Sequence, residues 1–232
     1  AALLRFPTTT LPVDLWLADD AVWLELMPAD PDTLSSILQV PLVAFTEGDR
    51  DVALSDFEQI PYAPADDADA AVRIGRIQPP LAVTSSVAGE VKRWNLQSGS
   101  MTASVTVSGG PAVFGHLNSS GSHLAWRNPQ SEALYVLDFE AGTNQLVDEL
   151  SGQYAQFYFL TPAADWVLAV NLDFQPVVIT WDVITGQRYD LGTYRECERV
   201  PDMARLSADG MTLVIGCDAG LDIWRAYEPS SD

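Results

Sequence analysis

Apolar residues in this chain fall into short runs, many alternating with polar residues. Gly, Pro, Asn, Asp or Ser breaks them every few positions. That pattern predicts short strands joined by tight turns, with little helix. Three phrases recur in the second half: Leu117-Asn118-Ser119-Ser120-Gly121, Leu160-Thr161-Pro162-Ala163-Ala164 and Leu206-Ser207-Ala208-Asp209-Gly210. Each is an apolar residue, a small polar one and a tight turn. Each precedes an apolar run: Leu124-Ala125-Trp126, Val167–Val170 or Leu213-Val214-Ile215. A second break and another strand follow. That strand ends in Trp94-Asn95, Leu137-Asp138, Trp181-Asp182 or Trp224-Arg225, spaced 43, 44 and 43 residues apart. Gly99, Gly142 and Gly186 follow the first three dipeptides, and a fourth strand is expected after each, at Met101–Val107, Gln145–Leu150 and Arg188–Leu191.

Four strands per unit of roughly 43 residues is the rhythm of a β-propeller. Residues 70–225 read as nearly four consecutive blades, the first opening near Ala71–Ile77. The first 69 residues are irregular. Val13–Leu17 and Val22–Met27 form an expected hairpin around Asp19-Asp20, and Leu42–Phe45 and Asp51–Leu54 a second around Gly48-Asp49. One degenerate blade then fits near 21–63, with Pro28–Leu38 an insertion holding a helical turn at Thr33–Leu38. Only eight residues follow Trp224, too few for a turn and a fourth strand. Leu3–Phe6 or Val13–Leu17 would then close the ring. The expectation is one all-β domain over residues 1–232, a β-propeller of five four-stranded blades closed by an N-terminal strand.

These phrases resemble the WD-repeat propeller family over residues 70–225, best in the last unit, where Asp218 matches the family's tight-turn aspartate. In that family this aspartate, a strand serine, a histidine and the Trp form a hydrogen-bonded set. Here the other units place Ala88, Ser131 and Gln175 at the aspartate position, and Gly115-His116 falls inside a first strand, aligned with Phe159 and Arg205. Propellers with looser repeats, including bacterial surface and quinoprotein types, fit nearly as well.

Charge adds a second layer. The chain of 232 residues has 32 acidic and 12 basic side chains, a net charge of −20. The acidic residues are spread along the chain, which disfavours phosphate backbones and anionic membranes and suits a basic protein partner. No run of 18 apolar residues is present, hence no transmembrane helix is expected. Cys197 and Cys217 form a disulfide or stay as two buried thiols, and an extracytoplasmic location would favour the disulfide; the expected location is extracytoplasmic or at the cell surface, with the cytoplasm as the alternative.

Little of the sequence points to chemistry. Trp94, Trp181 and Trp224 recur at one strand position and read as packing between blades. His116 and His123 flank a turn but lack further ligand-type partners for a metal. Asp66-Asp67-Ala68-Asp69 lacks the Gly and spaced Glu of a calcium loop and reads as a solvated acidic loop. No nucleophile elbow, phosphate-binding loop or dinucleotide fingerprint occurs, so neither a catalytic set nor a cofactor is expected. The expected role is a non-catalytic interaction scaffold or accessory subunit, with partner contact through the irregular segment at Trp16, Trp23, Asp19 and Asp20. The competing reading is an enzyme or small-ligand binder with a site in the central channel, lined by first-strand residues Arg73, His116, Gln156 and Arg205.

Overall fold

The structure, a computed structural model, describes residues 4–5, 10–18, 21–28, 36–41, 44, 50–51, 58–60, 73–78, 81–86, 88–95, 97–108, 113–128, 130–150, 153, 155–172, 175–194, 201, 203–217 and 220–226. Backbone contacts divide the chain into two compact units, Ala1–Ser104 and Val105–Asp232.

In the first unit, β1 (Leu4–Arg5), β2 (Thr10–Ala18), β3 (Ala21–Pro28), β4 (Ser36–Pro41), β5 (Arg50–Asp51) and β6 (Glu58–Ile60) occupy the irregular segment. The strands β2-β3-β4-β6 form one antiparallel sheet, and β1 pairs in parallel with β5. The first expected hairpin is present: Ala18 faces Ala21 and Trp16 faces Trp23 across β2 and β3. Asp19 and Asp20, at its turn, lie outside the described residues. Most of the second expected hairpin, Leu42–Phe45 and Asp51–Leu54 around Gly48-Asp49, lies outside the described residues; Asp51 pairs in parallel with Arg5, and a strand is found at Ser36–Pro41. That strand also replaces the end of the expected helical turn at Thr33–Leu38. Its pairing with β3 sets Leu38 opposite Leu24, both buried, and long-range pairing overrides the local polar composition. Val13–Leu17 is held in β2 by its pairing with β3.

A second four-stranded sheet follows in the order β10-β9-β8-β7, from β7 (Arg73–Gln78), β8 (Leu81–Ser85), β9 (Glu90–Asn95) and β10 (Ser100–Thr106). Among its described side chains, Ala82, Val83, Thr84, Ser85, Val91 and Trp94 are buried.

The second unit repeats the plan. One sheet runs β11-β12-β13-β14, from β11 (Val113–Leu117), β12 (His123–Arg127), β13 (Leu134–Asp138) and β14 (Thr143–Asp148). The next runs β15-β16-β17-β18, from β15 (Ala155–Leu160), β16 (Trp166–Leu172), β17 (Gln175–Asp182) and β18 (Arg188–Thr193). The last has three strands, β19 (Met203–Leu206), β20 (Thr212–Cys217) and β21 (Gly220–Arg225). Neighbouring sheets stack face to face. Leu134, Val136 and Ala125 pack on Ala155, Tyr158, Leu160 and Ala169. Phe159, Val170 and Val178 pack on Ala204, Leu213 and Ile215. Among the described residues no helix is long and apolar enough to cross a membrane.

Candidate functional site

The recurring dipeptide resolves into two structural jobs. Its first residue is buried bulk: Trp94, Leu137 and Trp181 are all buried. At Trp94 and Trp181 the indole N–H also finds an acceptor. Trp94 Nε1 donates to Thr84 Oγ1 at 2.9 Å, and Trp181 Nε1 to Asp148 Oδ2 at 2.6 Å. Asp148 ends β14, so the second bond joins adjacent sheets. The second residue of the dipeptide builds the turn into the fourth strand. Asn95 Oδ1 accepts the N–H groups of Gln97 and Ser98; Asp138 Oδ1 those of Glu140 and Ala141; Asp182 Oδ1 those of Ile184 and Thr185. The Gly four residues after it takes a positive φ near +65° in all three: 64° at Gly99 and Gly142, 68° at Gly186. These bonds act on acidity. The Ala141 N–H holds the Asp138 carboxyl below the usual carboxylate range against an opposing effect of burial, and the Thr185 N–H does the same for Asp182.

The turn phrases between first and second strands are equally alike. Asn118 Oδ1, Thr161 Oγ1 and Ser207 Oγ each accept the backbone N–H five residues on, from His123, Trp166 and Thr212. The left-handed position falls on Gly121, Ala164 and Gly210, at φ 71°, 59° and 74°. Ala164 is therefore the one non-glycine in that set.

Three of the four candidate channel residues have described side chains. Arg73 opens β7, and nothing is described of its side chain. The Leu160 N–H donates to His116 Nδ1 at 3.2 Å, and the His116 ring meets Phe159 edge-on at 5.4 Å. Gln156 Nε2 donates to Pro201 O at 2.8 Å, while its Oε1 accepts from Asn171 Nδ2 at 2.9 Å. His116 thus bonds one repeat ahead, 44 residues away, and Gln156 also one repeat ahead, 45 residues away. The first bond joins β11 to β15, and the second ties β15 to the segment just before β19. Arg205 is exposed and donates to the Ala204 carbonyl at 3.0 Å.

The other histidine sits in a polar cluster that the spacing of residues does not reveal. Ser122 Oγ lies 2.7 Å from His123 Nδ1, and His123 Nε2 lies 3.4 Å from Asp138 Oδ2. His123 and Asp138 are cross-strand partners, which brings the three together. Asn118 Nδ2 donates both to Ser122 Oγ and to Pro162 O of the next sheet. Asn118 is wholly buried, so this cluster locks a turn and fastens a neighbour. Among the described residues no group of three or more His, Cys, Asp or Glu could hold a metal ion. Cys197 and Asp218 lie outside the described residues; Cys217 ends β20 opposite Gly220. Of the partner-contact candidates, Trp16 and Trp23 stand opposite each other in the hairpin.

Consecutive four-stranded antiparallel sheets, stacked face to face and linked one repeat apart, define a β-propeller-like fold. No protein-family model and no curated protein matches the sequence. Solved structures do match, among them the crystal structure of the Cps50 (Swd1) β-propeller domain of Myceliophteria thermophila. Its TM-score is 0.57 at 12% sequence identity, over 90% of this chain. The chain spans 66% of that structure's own length. At this identity the likeness concerns the fold alone.

Proposed function

We propose that the protein is a non-catalytic interaction scaffold or accessory subunit of a larger assembly. In this reading the five sheets of three or four strands are the five blades of a single propeller domain over residues 1–232, its ring closed by an N-terminal strand. The observation that carries it is the use of first-strand polar groups. His116 and Gln156, which a channel site would need, are engaged in the frame: His116 Nδ1 accepts from Leu160 of the adjoining sheet, and Gln156 bonds Asn171 of its own sheet and Pro201 just before β19. That favours a rigid frame over a reactive pocket, and a frame whose turns are pinned by side-chain acceptors binds partners at low ordering cost. The acidic surface, net −20, suits a basic partner. Partner contact is assigned to the N-terminal hairpin, at Trp16, Trp23, Asp19 and Asp20. Native extract fractionated by size provides the test. The protein should migrate with an assembly far larger than its own 25.2 kDa, and migration as a free monomer overturns the reading.

A further inference from the structure

Three of the four-stranded sheets end in an outer strand that follows a closing dipeptide, and one of these strands is unlike the other two. β14 carries Asp148, and β18 carries Arg188 and Asp190. Each is also bulged: pairing with the third strand skips Val147 in β14 and Leu191 in β18. Charges and bulges keep an open sheet edge from pairing with another chain. β10 has no charged residue, no Gly and no Pro. It stands at the end of the order β10-β9-β8-β7, and among the described residues no strand pairs with its outer side. Ser100, Met101, Thr102, Ser104 and Thr106 are exposed, while Ala103 and Val105 are half-buried.

The neutrality extends well past the strand. Residues 94–126 hold no Asp, Glu, Lys or Arg, the longest such stretch in a chain of net −20. A strong net charge keeps like chains apart by repulsion. β10 is the outer edge where that repulsion is least. Behind it, β9 sets two basic groups, Lys92 and Arg93, against one acidic group, Glu90. The strand is also complementary to itself. Antiparallel pairing about a two-fold axis at Ala103 sets Thr102 opposite Ser104, Ser100 opposite Thr106 and Met101 opposite Val105. Hydroxyl then meets hydroxyl, apolar meets apolar, and the smallest side chain lies on the axis. Cross-strand pairs of these kinds stabilise a ladder, and a two-fold interface asks for one self-complementary patch. Thr102 and Ser104 keep bonds inside their own sheet, to Arg93 and Glu90. The new hydrogen bonds are therefore those of the backbone.

We propose that β10 is a self-association edge: two copies of this chain join their β10 strands antiparallel into one continuous sheet. This goes beyond the scaffold reading and does not depend on it. Size in native extract tests that reading, and self-association of the pure chain tests this one.

Sedimentation velocity of the purified full chain is the measurement. Species of 25.2 kDa and of twice that mass should exchange with concentration. The Debye length shrinks from about 10 Å at 0.1 M salt to about 3 Å at 1 M, so the dimer should tighten as salt rises. Ser100→Glu with Thr106→Glu places like charges opposite each other twice and should weaken the dimer about tenfold or more, and Ser100→Lys with Thr106→Lys should do the same. Mixing the two double variants sets each Glu opposite a Lys and should restore the dimer, which misfolded variants cannot do. A wild type that stays monomeric at both salt concentrations overturns the proposal. So does a dimer that persists in either double variant, or a mixture that stays monomeric. Hydrogen exchange identifies any other occupant. Outward β10 amides fully protected in the dilute monomer, or protected only within a native assembly, give the edge to a strand of the same chain or of a different protein, and either result overturns the pairing of copies.

Discussion

Replacing the turn glycines by alanine separates two costs that the structure assigns to different places. Gly142 and Gly186 hold equivalent positions, at φ +64° and +68°. A Cβ in that left-handed region costs about 1–2 kcal/mol. The stiffer unfolded chain returns about 0.4–1 kcal/mol. At Gly142 the added methyl meets nothing within 4 Å, so Gly142→Ala should lose about 1 kcal/mol. At Gly186 the methyl would stand 2.9 Å from the Val147 carbonyl oxygen, a backbone atom of β14. That contact cannot be relieved by rotating a side chain. The turn after β17 is also pinned to β14 by Gln145 Nε2 donating to Val183 O and Trp181 Nε1 to Asp148. Overpacking of this kind adds about 1–3 kcal/mol, so Gly186→Ala should lose about 2–4 kcal/mol. Urea unfolding followed by Trp fluorescence measures both, and thermal melts should show about 2–4 °C per kcal/mol. Gly99→Ala, in the other unit with the same φ and open space, should behave like Gly142→Ala. Equal losses at Gly142 and Gly186 would refute the close seating of that turn on β14. No loss at either would refute the left-handed turn itself.

Asp182→Asn should keep the turn, because Asn95 builds the same one, while removing a titrating group. The folded carboxyl is held below its unfolded value, so its contribution is full above about pH 4 and is lost as pH falls through the folded value. The variant's melting temperature should therefore drop less than the wild type's between pH 7 and pH 3; an unchanged drop contradicts the assignment. Trp181→Phe preserves bulk but strands Asp148, at a cost of about 1–3 kcal/mol. A double-mutant cycle with Asp148→Ala should recover a coupling of about 1 kcal/mol, and strict additivity would show the bond contributes nothing. Asn118→Ala removes the acceptor for His123 N–H and the donor to Pro162 O and Ser122 at a fully buried position. It should cost about 2–3 kcal/mol in urea unfolding, and a loss under 0.5 kcal/mol would mean the lock is idle.

What was readable in the sequence follows from where local chemistry decides. The strands of residues 73–225 lie where alternation and turn residues put them, because each turn carries its own acceptor: Asn118, Thr161, Ser207, or the Asn or Asp after the closing residue. In the N-terminal segment Ser36–Pro41 has the composition of a loop or helical turn, yet pairing with β3 makes it a strand. Register with a distant partner is not written in a local window. The polar cluster of Ser122, His123 and Asp138 was missed for a related reason. His123 and Asp138 are 15 residues apart and meet only through the β12–β13 register. The bonds of His116 and Gln156 to the following repeat depend on the stacking of sheets, which periodicity implies only as a repeat length.

The closing dipeptide therefore encodes less about blades than about what comes after them. Its first residue tolerates Trp or Leu, since burial asks only for volume. Its second is selective. Wherever Asn or Asp stands there, the side chain caps a turn, a left-handed Gly follows, and an outer strand pairs back: β10, β14 and β18. In the last unit Arg225 stands there. Arginine has donors but no acceptor, so it cannot receive the two N–H groups that start the turn. The sheet containing β21 is the one with three strands. Among the described residues, then, the acceptor after the closing residue and the outer strand go together: three sheets have both, and the sheet of β21 has neither.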